Sequence, residues 1–283
     1  MILIDLSQLI IAGLMAVVKQ DSTIVLEESS VRRIVLNMIR SDVRKFKREY
    51  GEIVICCDSR NYWRRIEFPH YKAGRKKTHE KSILDWELIN SIISSLKTEI
   101  QEYFPYKVIE VDLAEADDII GTLAPRYGAH EKVLILSTDG DFPQLQRYSK
   151  NIKQFNPVKK QFIISDNPER DLRNKIIVGD TGDGIPNIFS ITNSFVDGIR
   201  QKSATQALVE TCMNNDHTAW EDKTRVARFE FNRKLIDLSY IPEDLTNKII
   251  EAYEGSHPAP RSKLLKYFMK HKLTDFIEII GDF

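Results

Sequence analysis

The acid-rich stretch from Val111 to Phe142 constrains this chain more than any other part of its sequence. It reads VDLAEADDIIGTLAPRYGAHEKVLILSTDGDF, and its two apolar runs are flanked by five candidate site carboxylates: Glu115, Asp117, Asp118, Asp139 and Asp141. Carboxylates placed beside buried segments repel one another unless a cation lies between them. Hard ions such as Mg²⁺ and Mn²⁺ prefer oxygen ligands, and the sequence offers no cysteine or histidine cluster suited to zinc. The stretch therefore predicts part of a divalent-metal site.

The net charge is zero, with 41 Lys and Arg against 41 Asp and Glu, but the charges are unevenly distributed. Residues 110–141 hold eight acids and two bases. Residues 60–81 hold two acids and eight bases: Arg60, Arg64, Arg65, Lys72, Arg75, Lys76, Lys77 and Lys81. An acidic segment beside a basic one predicts a metal-binding carboxylate cluster next to a phosphate-binding surface.

Length and composition favour a globular protein with a packed core, since the 283 residues are 42% hydrophobic. Three cysteines are too few and too badly spaced for a disulfide framework, which favours a reducing, cytoplasmic setting. The apolar N-terminus has no basic segment and is interrupted by Asp5, Ser7 and Gln8. We therefore expect a strand followed by a helix there, rather than a signal peptide or a membrane anchor.

The first half of the chain alternates apolar runs with helical patterns, which predicts βαβ units and a mainly parallel sheet. Strands are predicted over residues 1–6, 53–57, 107–111 and 133–137, and helices over 31–50, 83–103 and 114–124. Ser7 is predicted to cap the helix that follows the first strand. Ligands bind at the carboxyl ends of parallel strands. Asp5, Asp58, Asp139 and Asp141 should therefore meet the acidic helix at one sheet edge.

The second half is helical. An edge strand is predicted over residues 162–164, and helices over 172–178, 203–213, 221–238, 243–253 and 261–270. The loop GDTGDGIPNI carries Asp180 and Asp183, and a tight glycine-rich turn between helices can point backbone amides at phosphates. The basic segment, which contains four aromatic residues, is predicted to be a loop or a mobile arch that binds phosphates and stacks on bases. The tail DFIEIIGDF is expected to pack on the core, with docking on a sliding clamp as the alternative.

Six motifs in order, ILIDLS, IVICCDSR, HYKAGR, LAEADDIIG, LSTDGDF and GDTGDGIPNI, resemble the structure-specific 5′ nuclease superfamily of flap endonucleases and phage 5′-3′ exonucleases. YWRR and LIDLSYIPEDLTNKI are similar to its T-even phage ribonuclease H branch. The resemblance implies an α/β fold: a PIN-like, mainly parallel sheet with a helical arch over residues 60–82, followed by an all-helical half. The implied domains are residues 1–165 and 166–283, the second with a helix-three-turn-helix over 170–215.

The same resemblance implies roles for individual residues. One metal would be held by Asp5, Asp58, Asp117 and Asp139, and a second by Glu115, Asp141 and Asp183. Asp117 and Asp139 count as catalytic together with the cations Lys72 and Arg75, and Asp118 and Asp180 would act as supports or caps. Contacts to nucleic acid are expected from Arg64, Arg65, Tyr71, Lys72, Arg75, Lys76, Lys77, Gly182 and Gly184, with Tyr71 stacking on the terminal base.

The resemblance also implies a two-metal 5′ nuclease that uses Mg²⁺, or Mn²⁺ as a substitute, on DNA duplexes, 5′ flaps and RNA·DNA hybrids. We expect a monomer that removes RNA primers in a phage-infected host, with single-strand-binding protein and sliding clamp as candidate partners. The turn departs from the family pattern at Gly184 and in IPNIFSITNS, which affects an expected monovalent cation. The alternatives are a PIN-type single-strand ribonuclease and a protein that binds branched DNA without cutting it.

Overall fold

The structure of the protein is a computed structural model that describes residues 1–21, 26–80, 82 and 84–283, with the backbone alone for residues 76–78. At its centre is a sheet of strands β1 (Ile2–Asp5), β2 (Ile53–Cys56), β3 (Lys107–Ile109), β4 (Val133–Leu136), β5 (Ile152–Asn156) and β6 (Gln161–Ile163). The order across the six-stranded sheet is β3-β2-β1-β4-β5-β6.

The sheet is parallel except at one edge. Ile2 of β1 lies opposite Ile53 of β2 on one side and Leu134 of β4 on the other, and β3 and β5 extend this parallel arrangement. β6 pairs with β5 antiparallel, as the edge strand. β1, β2 and β4 are buried along their whole length, which explains their uninterrupted apolar sequences. The predicted mainly parallel sheet is confirmed, and the carboxyl ends of β1, β2, β3 and β4 share one edge.

β5 was not predicted, because polar residues interrupt its sequence Ile-Lys-Gln-Phe-Asn. Gln154 in its middle is fully buried, and its side-chain amide donates to the carbonyl oxygens of Ser137 at 3.0 Å and Asp139 at 2.6 Å. A buried amide is stable when it is hydrogen-bonded in this way. β5 therefore supports the loop that carries Asp139.

The helices of the first half are α1 (Leu6–Gln20), α2 (Glu28–Tyr50), α3 (Trp63–Glu67), α4 (Arg75–Glu80), α5 (Trp86–Tyr103) and α6 (Ala116–Gly128). Ser7 lies inside α1, and Asp5 caps that helix, so the predicted cap was wrong by two residues. Ile83, the predicted start of α5, and Lys81 lie outside the described residues.

The helices of the second half are α7 (Pro168–Val178), α8 (Gln206–Asn214), α9 (Lys223–Ile236), α10 (Glu243–Gly255), α11 (Lys263–Lys270) and α12 (Thr274–Glu278). α10 shares a core with α6 on one face of the sheet, whereas α11 and α12 pack with α2 and α5 on the other face. α7 and α9 form a third core with Phe68 and Tyr71 of the basic segment. The second half thus covers both faces of the sheet; the boundary near residue 166 stays a prediction.

The C-terminal tail packs into the core on the α5 side. The Phe283 side chain is fully buried and contacts the rings of Phe104, Phe268 and Phe276. The Arg261 guanidinium donates to the carbonyl oxygen of Phe283. The tail is therefore not a free segment for a clamp. No helix within the described part of the chain combines the length and apolar character needed to cross a bilayer.

Candidate active site

Four predicted metal ligands lie at the carboxyl edge of the sheet, and we call them the sheet-edge group: Asp5, Asp58, Asp117 and Asp139. Asp5 ends β1 and accepts a hydrogen bond from the Gln8 N–H at 3.0 Å, so one residue closes the strand and starts α1. Asp58 accepts from the Ala116 N–H at 2.9 Å, which fastens the start of α6 beside the end of β2. Backbone hydrogen bonds thus fix the positions of Asp5 and Asp58.

Burial and neighbouring carboxylates raise the pKa values of three of these acids, Asp5, Asp117 and Asp139. The Ser137 hydroxyl lies 3.3 Å from Asp5 and accepts from the Asp139 N–H at 3.1 Å, which links the two loops. Burial and the charges of Asp58 and Asp139 raise the pKa of Asp5 to about 8. Burial and the Asp139 charge raise the pKa of Asp117 well above its ordinary value. A bound divalent cation would relieve this repulsion, so the donor set fits the predicted metal.

A second set of acids lies on loops, and we call it the loop group: Asp141, Asp180 and Asp183. One carboxylate oxygen of each lies within 4.8 Å of the other two. Among the described residues this is the one set of three potential ligands that approach so closely, and the sheet-edge group does not. The Lys175 ammonium contacts Asp141 and lies 2.9 Å from Asp180. The Lys175 ammonium thus neutralises acids that a metal ion could otherwise bind. Asp180, which we predicted as a support or cap, belongs to this set.

The glycine-rich loop is held together by its own hydrogen bonds. The Asp183 N–H donates to the Asp180 carboxylate at 3.1 Å, and the Gly184 N–H donates to the Thr181 carbonyl at 3.3 Å. Gly184 has φ +73°, and a Cβ there would lie 3.3 Å from the carbonyl oxygen of His70. Gly184 therefore permits a close approach of the loop to the basic segment, and its amide is engaged in the turn rather than free for a phosphate. Gly182 is exposed.

Glu115 is the N-cap of α6 and is almost completely buried among cationic and hydroxyl donors. Its carboxylate accepts from Arg64 at 2.9 Å and contacts Lys72, and the Tyr71 hydroxyl lies 3.0 Å away. Burial opposes its ionisation, but Lys72 and Arg64 outweigh burial and hold the pKa of Glu115 below its ordinary value. Glu115 is thus neutralised by protein cations, and its predicted part in a second metal site stays a prediction.

Arg64 does not lie on the nucleic-acid-facing surface that we predicted for it. Its side chain is 3% exposed and donates to Glu115 at 2.9 Å and to Asp118 at 2.8 Å. It also donates to the Leu235 carbonyl oxygen of α9 at 2.9 Å. The reason is electrostatic, because buried carboxylates are stable only with a buried counter-charge. The neighbouring Arg65 is exposed, and its predicted contact to nucleic acid stays a prediction.

Tyr71, Lys72 and Arg75 join the basic segment to the loop group. The Tyr71 ring is 2% exposed, and its hydroxyl lies 2.9 Å from Asp183, so in this structure the ring is not available to stack on a base. Lys72 has φ +59°; its N–H donates to the Asp183 carbonyl at 2.9 Å and its ammonium lies 3.8 Å from the Asp183 carboxylate. Arg75, half-exposed, donates to Asp183 at 2.9 Å. The two predicted catalytic cations therefore flank one acid of the loop group.

A groove of about 1180 Å³ runs from this site between α1, the basic segment and α5. Asp58, Lys72 and Gly182 line its end at the site, and the exposed Arg60 and Arg65 lie along it. The side chains of two further predicted contacts, Lys76 and Lys77, lie outside the described residues. The groove is large compared with the roughly 300–1,000 Å³ of small-molecule pockets, and it opens beside the acids.

Two protein families match the chain, and together they span its whole length. Residues 1–176 match the family described as 5′-3′ exonuclease, N-terminal resolvase-like domain, and residues 166–283 match the family described as T4 RNase H, C terminal. The ribonuclease H of Enterobacteria phage T4 is 34% identical over 296 residues, covering 99% of this chain and 95% of that protein. The flap endonuclease Xni of Shewanella woodyi is 29% identical over 191 residues, covering 63% and 68% respectively.

Solved structures share the fold. The bacteriophage T5 flap endonuclease, in a pseudo-enzyme–product complex with DNA and metal ions, superposes with a TM-score of 0.59 at 15% identity, covering 89% of this chain and 98% of that one. The T5 5′-exonuclease with bound zinc gives a TM-score of 0.57 at 15% identity, covering 90% and 98%. The shared architecture is an α/β half with a mostly parallel sheet followed by a helical half.

Proposed function

The chain belongs to the 5′-3′ exonuclease family of phosphodiester hydrolases, and from this premise we propose that it cleaves duplex DNA, 5′ flaps and RNA·DNA hybrids from the 5′ side. Its role would be to remove RNA primers during phage DNA replication. The observation that carries the proposal is the meeting of two carboxylate groups beside a cationic pair. The Asp141 N–H of the loop group donates to the Asp139 carboxylate of the sheet-edge group at 2.9 Å. Lys72 acts on both groups, since its ammonium lies 3.8 Å from Asp183 and its charge opposes the rise in the pKa of Asp117.

The proposed cofactor is a pair of Mg²⁺ ions, for which Mn²⁺ would substitute. The sheet-edge group would hold one ion, and the loop group, with Glu115, would hold the other. When bound, such ions activate a water molecule and stabilise the leaving oxygen of an in-line phosphodiester displacement. Asp180 joins the proposed ligands because its oxygen lies with those of Asp141 and Asp183. Lys175 would have to release Asp141 and Asp180 for an ion to enter.

The remaining residues of the site would bind and orient the substrate. Lys72 and Arg75 are positioned to neutralise charge that develops on the scissile phosphate, because both now lie against acids that the metals would engage. Arg60 and Arg65 are exposed along the groove and suited to backbone phosphates. Tyr71 would reach a terminal base only by leaving its hydrogen bonds. A monovalent ion in the glycine-rich loop also remains a proposal.

One gel tests the proposal. The protein is incubated with 5′-labelled flap, nicked, RNA·DNA hybrid and single-stranded RNA substrates, in Mg²⁺ and in EDTA, and product lengths are read. We expect short 5′ products from the flap, nicked and hybrid substrates in Mg²⁺ and none in EDTA. Cleavage confined to single-stranded RNA would identify a PIN-type ribonuclease instead. Retarded flap DNA with no product in any metal would identify a non-cleaving binding protein.

A further inference from the structure

Trp86, the first residue of α5, differs from the other two tryptophans of the chain. Trp63 and Trp220 are buried in cores, and the Trp63 indole N–H donates to Asp118 at 3.2 Å. Trp86 lines the groove, and its indole N–H is buried without a hydrogen-bond partner among the described residues. An indole N–H withheld from water without a partner is costly. Of the three tryptophans, Trp86 is thus the one that lines the groove.

One face of the Trp86 ring is covered by His79 of α4. The two ring centroids are 3.7 Å apart and the planes differ by 10°, which is parallel stacking. The imidazole is a planar heteroaromatic ring, so it covers the indole as a nucleobase would. α4 belongs to the basic segment and contributes little else to the cores, since its described residues appear in none of the three clusters.

The walls of the groove that Trp86 lines suit a nucleotide strand. Ile11 and Ile93 give apolar surface, Gln8 and Asn90 give amides that can bond to base edges, and Arg60 offers a cation to the backbone. Base stacking on an aromatic side chain is independent of sequence, because every base has a π-face. We propose that Trp86 is the stacking platform for a base of the unpaired strand of the substrate, and that His79 occupies this platform until the base displaces it. This inference rests on the proposed function.

The test compares two flap substrates, one with natural bases and one with abasic nucleotides in the unpaired 5′ strand. Binding is measured in EDTA by fluorescence anisotropy for the wild type, Trp86→Ala, Trp86→Phe, His79→Ala and, as an exposed aromatic elsewhere, Tyr148→Ala. Trp86→Ala should weaken binding of the natural flap about 10-fold and leave the abasic flap unchanged. Trp86→Phe should retain most of the affinity, and Tyr148→Ala all of it. His79→Ala should bind the natural flap as tightly as the wild type or more tightly.

Equal weakening of both flaps by Trp86→Ala would overturn the platform, and so would His79→Ala weakening the natural flap as strongly as Trp86→Ala. If the wild type bound deoxyadenosine monophosphate as tightly as the flap, the site would be assigned to a free nucleotide. The proposal that it binds the unpaired strand would then be overturned. Wild-type cleavage of the natural flap in Mg²⁺ is measured in parallel. If the wild type did not cleave the flap but Trp86→Ala still weakened binding of the natural flap alone, only the proposed function would be rejected. Cleavage without a base-dependent effect would reject the platform alone.

Discussion

The two carboxylate groups lie on different structural elements, and their negative charges are neutralised to different extents. The sheet-edge group lies at the carboxyl edge of the sheet, where backbone N–H groups hold Asp5 and Asp58. Burial and the charges of Asp58 and Asp139 raise the pKa of Asp5 to about 8. The loop group lies on loops, and Lys175, Lys72 and Arg75 partner its acids. In the described part of the chain no lysine or arginine forms an ion pair with a sheet-edge acid, whereas each acid of the loop group has such a partner. A metal would relieve strain at the first and compete with lysine at the second.

The largest expected effect is on catalysis. Asp139→Asn removes one acid of the sheet-edge group and should lower the single-turnover cleavage rate on the order of 10³-fold or more, because the proposed metal site loses a ligand. In EDTA the same variant should melt at a higher temperature than the wild type, since repulsion is relieved. The exposed Asp166→Asn is the control and should change neither quantity. Cleavage by Asp139→Asn at the wild-type rate would remove the basis of the sheet-edge assignment.

The next effect separates two adjacent arginines. Arg64→Met should cost about 3–5 kcal/mol of unfolding free energy, because it leaves Glu115 and Asp118 buried without their counter-charge. Arg65→Met should change stability by no more than about 0.5 kcal/mol and weaken flap binding instead. Urea unfolding and anisotropy measure the two quantities. Similar stability losses in both variants would contradict the distinction between a buried counter-ion and a surface contact.

The sheet-edge group also predicts a pH dependence. The pKa of Asp5 is raised from 3.8 to about 8 in the folded state, so folding binds a proton between those values. In EDTA this group's contribution to stability should therefore be largest near pH 4 and fall as the pH rises towards 8. Saturating Mg²⁺ should flatten the profile, because the cation replaces the proton. Thermal melts between pH 4 and pH 8, with and without Mg²⁺, measure this dependence. If the stability of the wild type in EDTA, relative to that of Asp5→Asn, increased as the pH rose, the prediction would be contradicted.

The smallest effect concerns the lysine of the loop group. Lys175→Met should lower stability in EDTA by about 1 kcal/mol, because Asp141 and Asp180 lose a partly exposed ion pair. The Mg²⁺ concentration that gives half of the rise in melting temperature should be lower for this variant than for the wild type, since no ammonium has to be displaced. Lys159→Met, at an exposed site, is the control. An unchanged Mg²⁺ midpoint would show that Lys175 does not compete with the metal.

The sheet-edge acids were accessible to sequence reasoning because their signal is local. An apolar run that ends in aspartate predicts both the strand and the place of its carboxylate, and Asp5 and Asp58 follow such runs. The cap of α1 was misassigned to Ser7 because Asp5, at the end of β1, accepts the capping hydrogen bond. Local sequence patterns can therefore identify the group without fixing each hydrogen bond.

The loop group and its counter-ions depend on contacts between distant segments. Arg64 looks like one of several surface cations until Glu115 and Asp118 are brought beside it, 51 and 54 residues later in the chain. Lys175 carries no sign of its partners, and Asp180 is distinguished from an ordinary turn residue only by the position of Asp141. β5 was not predicted because Gln154 is polar, yet its side chain is buried and donates to the carbonyl oxygen of Asp139. Such roles come from tertiary packing.

Helices of the second half cover both faces of the sheet, and this affects how the chain folds as it leaves the ribosome. A chain that has emerged only as far as β6 already contains every acid of the sheet-edge group, but lacks Asp180, Asp183 and Lys175. It also lacks α10, α11 and α12, so apolar surface on both faces stays uncovered. Domains fold from the N-terminus as they emerge. By this reasoning the nascent chain should not cleave nucleic acid near the ribosome, because its proposed second metal site is incomplete until the helical half has emerged.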